Sequence, residues 1–346
     1  MTFKPSQPAG PVTIDDIARA AGVHPASVSR ALRGVPGKVS AETRERIAQI
    51  AAELGYHPNA VAASLRTRQT RMVAIVVPDV ANPLFGPVVQ GLEAELRRHD
   101  FLCLMLQPPE DTEQRRAAIV ALANRQVSGL LVLAAESADP MLEVAAERGI
   151  PTVLVNRGFG ERRFSSVTND DHESVRLVLQ HLAALGHTRI AHISGPSSSS
   201  TGRARCQAFL QLAPEFGLRK PQVVEAAAFT REAGAAAMQE LWRKSAGRPS
   251  AVFAANDLIA LGVLQVLRQG AVRVPEEVSV VGHNDMPLVD LIDPPLTTVR
   301  VAAEQMSRQA AQLLMELMGE PGQPPSMRVL TPTLVVRNST AAAPKS

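Results

Sequence analysis

The chain changes its hydrophobic rhythm once. Over roughly the first sixty residues, small apolar side chains recur at helical spacing in three sets: Ile14, Ile17, Ala18 and Ala21; Val28 and Leu32; and Ile47, Ile50, Ala51 and Leu54. Each set lies on one face of a short helix. Thr13 and Asp16 fit the start of the first helix, with Asp15 and Asp16 at the positive end of its dipole. Gly22 supplies a permissive turn and Pro25 suits the first position of the second helix. Ser40 opens the third helix and Gly55 ends it. Three short helices around one small core predict a helix-turn-helix domain.

From Met72 onward, apolar strands alternate with amphipathic helices. MVAIVVPD, FLCLMLQ, VSGLLVLAA, PTVLVN, RIAHISG, AVFAAND and VSVVGHND are separated by runs such as PLFGPVVQGLEAELRRH and LIALGVLQVLRQG. That order predicts doubly wound parallel sheets with helices on both faces, so the fold class is multi-domain: an all-α N-terminal module plus an α/β core. Ligands of such sheets bind beyond the carboxyl ends of the strands. Those ends carry Asp79, Asn156 with Arg157, the Ser197 to Ser200 cluster, Asn256 with Asp257, and Asn284 with Asp285. Polar residues there also serve as plain helix caps, but so many converging donors and acceptors predict a binding cleft.

Net charge refines the picture through its distribution. Of the total of +3 over 346 residues, residues 1–70 carry +4 and the remainder −1, as in a small nucleic-acid module joined to a near-neutral body. No apolar run approaches the roughly 20 residues of a membrane span, and MTFKPSQPAGP lacks the apolar segment of an export signal. A cytoplasmic location with no membrane contact is therefore expected. Cys103 and Cys206 stand far apart, outside any cysteine or histidine cluster, so no metal is expected.

A helix-turn-helix domain places the start of its second helix against base edges. The base-reading candidates are Pro25, Ala26 and Arg30: guanidinium can bind guanine bidentately and Ala26 can touch a thymine methyl. Ser27, Ser29, Arg33 and Lys38 are phosphate-binding candidates, with Thr13 and His24 counted in the same DNA-binding set. Scattered surface charge on a helical bundle is the competing reading. The segment 59–70 has Asn59 as a cap and Val61, Ala62 and Leu65 at helical spacing, but is too short to form a helix alone.

VTIDDIARAAGVHPASVSRAL and VSAETRERIAQIAAELGYHPNAVAASLRT resemble the DNA-binding end of the lactose/galactose repressor family of bacterial transcription regulators. VPDVANPLF, LAALGHTRIAHISGP, AANDLIALG, VSVVGHNDM and PPLTTVR extend the resemblance over residues 12–339. The resemblance implies a two-lobed periplasmic-binding-protein-like core, no cofactor, a homodimer on palindromic operator DNA, and a small-molecule effector. It also implies that paired hinge helices enter the minor groove, where Asn59 and Ala62 lie and Leu65 acts as a wedge. His24 departs from the family's usual Ser or Asn cap, and imidazole is expected to cap less well.

The same resemblance sets the boundaries: tail 1–11, helix-turn-helix 12–58, hinge 59–70, core 71–340, tail 341–346. Within the core, one lobe spans about 71–168 and 297–328, the other about 169–296 and 329–340, with crossings near Asn169, Leu296 and Val329. Arg205, Asn256, Asn284 and Phe229 fall on effector-binding positions, and Asp79, Phe85, Asn156 and Arg157 complete the candidate set. Phe85, Phe159 and Phe229 are the aromatics available for stacking. Asn284 stands where the family has an acid, and an amide there tolerates an anionic ligand better. With two arginines nearby, a sugar acid or a sugar is the expected effector, and no leucine heptad for tetramer formation follows the core. Two other readings remain: an enzyme on a doubly wound sheet, and a transport-associated binding protein. Against the first, the chain lacks G-x-G-x-x-G, G-x-x-x-x-G-K-[ST], H-E-x-x-H and G-x-S-x-G.

Overall fold

The computed structural model describes residues 12–32, 39–56, 70–133, 135, 139–158, 163–218, 221–244, 248–320 and 322–345. Arg33, Lys38, Asn59, Ala62, Leu65 and Phe159, most of the hinge segment and all of the N-terminal tail 1–11 lie outside them. The chain divides into two units, Met1–Arg68 and Gln69–Ser346.

In the first unit, α1 (Ile14–Ala21), α2 (Pro25–Leu32) and α3 (Ala41–Glu53) pack around Ile17, Val28 and Ile47, all fully buried. Thr13 and Asp16 form the expected reciprocal capping box, and Ser40 caps α3 through Thr43 N–H. Gly22 at φ 63° ends α1 in the left-handed conformation that a side chain disfavours. The core is so small that truncating any of the three aliphatics to Ala removes about 2–5 kcal/mol, a large share of a small domain's stability.

The second unit holds two six-stranded sheets. The first contains β1 (Met72–Val76), β2 (Leu102–Leu106), β3 (Gly129–Leu133), β4 (Thr152–Val155), β5 (Ser165–Asn169) and β11 (Met327–Leu330), in the order β11-β5-β4-β3-β1-β2. Its helices are α4 (Phe85–Arg97), α5 (Thr112–Asn124), α6 (Pro140–Glu147) and α11 (Ala303–Gly319). The second contains β6 (Ile190–Ser194), β7 (Gln222–Glu225), β8 (Ala251–Ala254), β9 (Ser279–Asn284), β10 (Thr297–Arg300) and β12 (Thr333–Val335), in the order β12-β10-β9-β8-β6-β7. Its helices are α7 (Asp171–Ala184), α8 (Ser200–Leu212), α9 (Arg231–Lys244) and α10 (Asp257–Gln269).

All pairings are parallel except β10 with β12. Strand residues alternate between two cores, so both faces are apolar: Val73 and Ile75 join the cluster under α4 and α11, while Ala74 and Val76 join the one under α5 and α6. Close approach of α4 and α11 depends on Gly91, where an added Cβ would lie 2.7 Å from the Ser307 side chain. Ser307 Oγ also donates to Val88 O at 2.9 Å.

Three passages join the lobes. The first follows Asn169, where β5 ends. The second corrects the sequence-based boundary: Thr297 pairs with Val281, which puts β10 in the second sheet and moves the crossing from near Leu296 to between Arg300 and Ala303. The third falls just after Leu330, since Val329 and Leu330 still pair with β5. Asp170 N donates to Leu330 O at 2.9 Å, so the first and third passages lie side by side.

Candidate functional site

In the first unit, α2 carries the base-reading candidates. Arg30 is exposed, Pro25, Ala26, Ser27 and Ser29 are half-buried, and Thr13 and His24 are exposed. His24 caps α2 through Nδ1, which accepts from Ala26 N–H at 3.2 Å. That geometry requires the tautomer with its proton on Nε2.

In the second unit, the carboxyl ends of the strands from both lobes face a cleft of about 210 Å³. Asp79, Phe85, Asn156, Arg157, Arg205, Phe229, Asn256 and Asn284 all line it. Pro78, Asn82, Leu84, Thr201 and Thr230 complete the wall and were not singled out from the sequence. Asn82 and Thr201 sit within helix-start motifs: Asn82 accepts from Leu84 N–H at 3.1 Å, and Thr201 follows the serine cluster. In that cluster, Ser199 caps α8 and Ser197 N–H donates to Glu225 at 2.8 Å, so these serines build the turn while Thr201 reaches the cleft.

Arg205 is 3% exposed and tightly held. Its Nε donates to Asp171 Oδ1 at 2.7 Å and Nη1 to Ala255 O at 2.6 Å. Burial raises the Asp171 carboxyl above its ordinary range, against the lowering effect of Arg205 and Arg157. Across the cleft, the Arg157 guanidinium lies 5.2 Å from the centre of the Phe229 ring, linking the two lobes through a cation–π contact.

Two cleft amides have committed oxygens. Asn256 Oδ1 accepts from Ile259 N–H at 2.8 Å, capping α10, and Asn284 Oδ1 faces His283 Nδ1 at 3.0 Å. His283 is fully buried, and burial together with the Arg205 charge holds its pKa well below the ordinary value. His283 is therefore neutral, and the hydrogen bond it shares with Asn284 holds that side chain at the cleft wall. Asn284 (φ 119°) and Asn156 (φ 69°) occupy left-handed backbone, a strain tolerated where a side chain must be aimed.

Beneath this wall, Asp257 accepts from Met286 N–H at 2.8 Å and from the Thr298 hydroxyl at 2.6 Å, and burial pushes its carboxyl up to about 7. Beside it, Asp285 bonds Arg337 and also Arg300, the last residue of β10 before the second passage, each at 2.7 Å. No group of three His, Cys, Asp or Glu suited to a metal occurs among the described residues. Nor is any described helix long and apolar enough to cross a membrane.

A helix-turn-helix unit joined to a two-lobed core with a polar cleft defines a ligand-responsive DNA-binding regulator. The family model for bacterial regulatory proteins of the lacI family matches residues 13–59, and that for a periplasmic binding protein-like domain matches residues 179–340. Over 335 residues the chain is 31% identical to the HTH-type transcriptional repressor CytR of Escherichia coli K12, covering 96% of this chain and 97% of that protein. The structure of a Lac repressor dimer bound to operator and the anti-inducer ONPF superposes with a TM-score of 0.86 at 26% identity, over 96% of this chain and 100% of that one. The CelR–cellobiose complex gives 0.73 at 33% identity, over 95% and 99%. The chain belongs to the LacI family of bacterial transcriptional regulators, and it is not an enzyme.

Proposed function

We propose that this protein is a dimeric repressor that reads a palindromic operator and changes its grip when a small hydroxylated metabolite of the sugar class fills the cleft. The observation that carries the reading is convergence: eleven polar and aromatic residues from both lobes line one cleft in a chain that also carries a helix-turn-helix unit. A Lac repressor dimer on operator DNA and a CelR–cellobiose complex support the same assignment of partners. Phosphate contacts supply affinity, and Arg30 supplies base discrimination. Such a regulator works in the bacterial cytoplasm, beside the chromosome.

Effector binding draws the lobes together, and a coupling of roughly 1–3 kcal/mol to DNA binding changes operator occupancy several-fold or more. Deleting residues 1–70 is the direct test. Operator binding disappears while the remaining core still binds its small molecule; loss of both activities refutes this division of labour. Arg205→Ala leaves DNA binding intact and abolishes the effector response.

A further inference from the structure

Two side chains mounted on different lobes meet across the cleft. Arg157 follows β4 in the first lobe and Phe229 follows β7 in the second; both line the cleft and both are half-buried. The guanidinium carbon lies 5.2 Å from the ring centre, inside the roughly 6 Å range of a cation–π contact. The same charge acts on the Asp171 carboxyl at the start of α7, so Arg157 is drawn toward the second lobe by two groups.

Neither side chain is loosely mounted. On the first lobe, Asn156 N–H donates to Val167 O at 2.9 Å. Gly158 packs so closely on β5 that an added Cβ would lie 3.2 Å from Ser166 Oγ and 3.3 Å from Thr168 Cγ2. The residues on either side of Arg157 are thus held by the sheet. On the second lobe, the Phe229 ring edge rests on Gly195, where no Cβ would fit, and the Thr230 hydroxyl accepts from Ala233 N–H at 3.2 Å as α9 begins. With each backbone fixed to its own sheet, the contact depends on the angle between the lobes.

That angle has leverage on the pair. Gly195 follows β6, three strands from β10 and the second passage, about 14 Å across the sheet. A rotation of about 10° at the end of β10 carries the ring about 2.5 Å, against about 0.8 Å of slack within cation–π range. Opening the cleft breaks the contact.

We propose that Arg157 and Phe229 form an interlobe latch that holds the core near its closed angle before any effector enters, so that the effector completes a closure the protein has already biased. This rests on the reading of the cleft as the effector site and identifies the pair that sets its resting angle. A half-buried cation–π pair favours the arrangement that makes it by about tenfold. The apparent affinity for an effector scales with the fraction of molecules already in the binding-competent arrangement, so the latch raises it.

The test is a distance measurement between spin labels on the two lobes of the full-length protein, with no effector added. The labels sit at two exposed positions, Glu113→Cys in α5 and Gln239→Cys in α9, in a Cys103→Ser, Cys206→Ser background. Dilution with unlabelled chain confines the reading to distances within one chain. Arg157→Met, which keeps length and loses charge, and Phe229→Leu, which loses the ring, are each expected to lower the ratio of short to long distances about tenfold. The double variant falls no further than either single one, because both changes remove the same contact. Arg157→Lys and Phe229→Tyr keep a cation and a ring and retain most of the ratio, which separates loss of the contact from loss of folding. An unchanged ratio in Arg157→Met or Phe229→Leu, multiplying effects in the double variant, or equal losses in the two conservative variants overturns the proposal. Operator binding of the chain with Arg157 and Phe229 intact is measured in parallel on a duplex selected from a random pool. Retained operator binding with unchanged distances refutes only the latch, whereas absent operator binding refutes the regulator reading itself.

Discussion

Arg205 and Asp171 form a buried ion pair at 2.7 Å, with side chains 3% and 15% exposed, directly behind the cleft. Removing one member leaves the other charged and without its partner in a low-dielectric setting. Asp171→Ala is therefore expected to destabilise the second unit by about 3–5 kcal/mol, read by urea unfolding. A loss below 1 kcal/mol means that water reaches Arg205 and that the pair does not organise the wall.

Asp257 gives the fold a pH dependence of definite sign. Its carboxyl lies near 3.8 when unfolded and at about 7 when folded, so below 3.8 it is protonated in both states and burial carries no electrostatic penalty. As pH rises from 3.8 through 7, the unfolded chain gives up the proton first, and stability falls by up to about 4 kcal/mol. Asp257→Asn, whose amide can donate to the Thr298 hydroxyl, should flatten this part of the profile between pH 5 and pH 8. Subtracting the two profiles cancels the opposite contribution of the buried histidines, and identical slopes would contradict the assignment.

Gly195 is where the sheet meets the Phe229 ring: an added Cβ there collides with the ring edge. Gly195→Ala is expected to push the ring toward the cleft and lower effector affinity about tenfold, with operator affinity in the absence of effector unchanged. Titration of both ligands checks the separation, and unchanged effector affinity would show that Phe229 has room to retreat.

Arg30 is the long, exposed side chain of α2 available to a base edge. Arg30→Ala should cost about 1–3 kcal/mol at one base pair per half-site and relax preference there. Sequence preference is measured by selection from a random duplex pool. An unaltered preference removes Arg30 from the reading surface.

Much of this architecture was legible because the physical signals were strong. Strands such as Met72–Val76 are apolar on both faces since helices cover both, and the cap at Thr13 needed only local spacing. Thr297–Arg300 escaped notice for the converse reason. TTVR is short and largely polar, and its membership of the second sheet follows from pairing with a distant strand, which is why the second crossing was put several residues early. At the cleft, strand-end residues stood out because parallel sheets gather ligands at those ends. Asn82, Thr201 and Thr230 did not, since a polar residue at a helix start is already explained by capping.

Three adjacent chain passages between the lobes have a mechanical effect. Two blocks tied by one thread can swivel in any direction; tied by three threads side by side, they swing like a door about a single line. Whatever molecule enters, the response available to the core is one angle, opened or shut. Residues that stiffen that line, Asp285 with Arg300 among them, set how much force each increment of that angle requires.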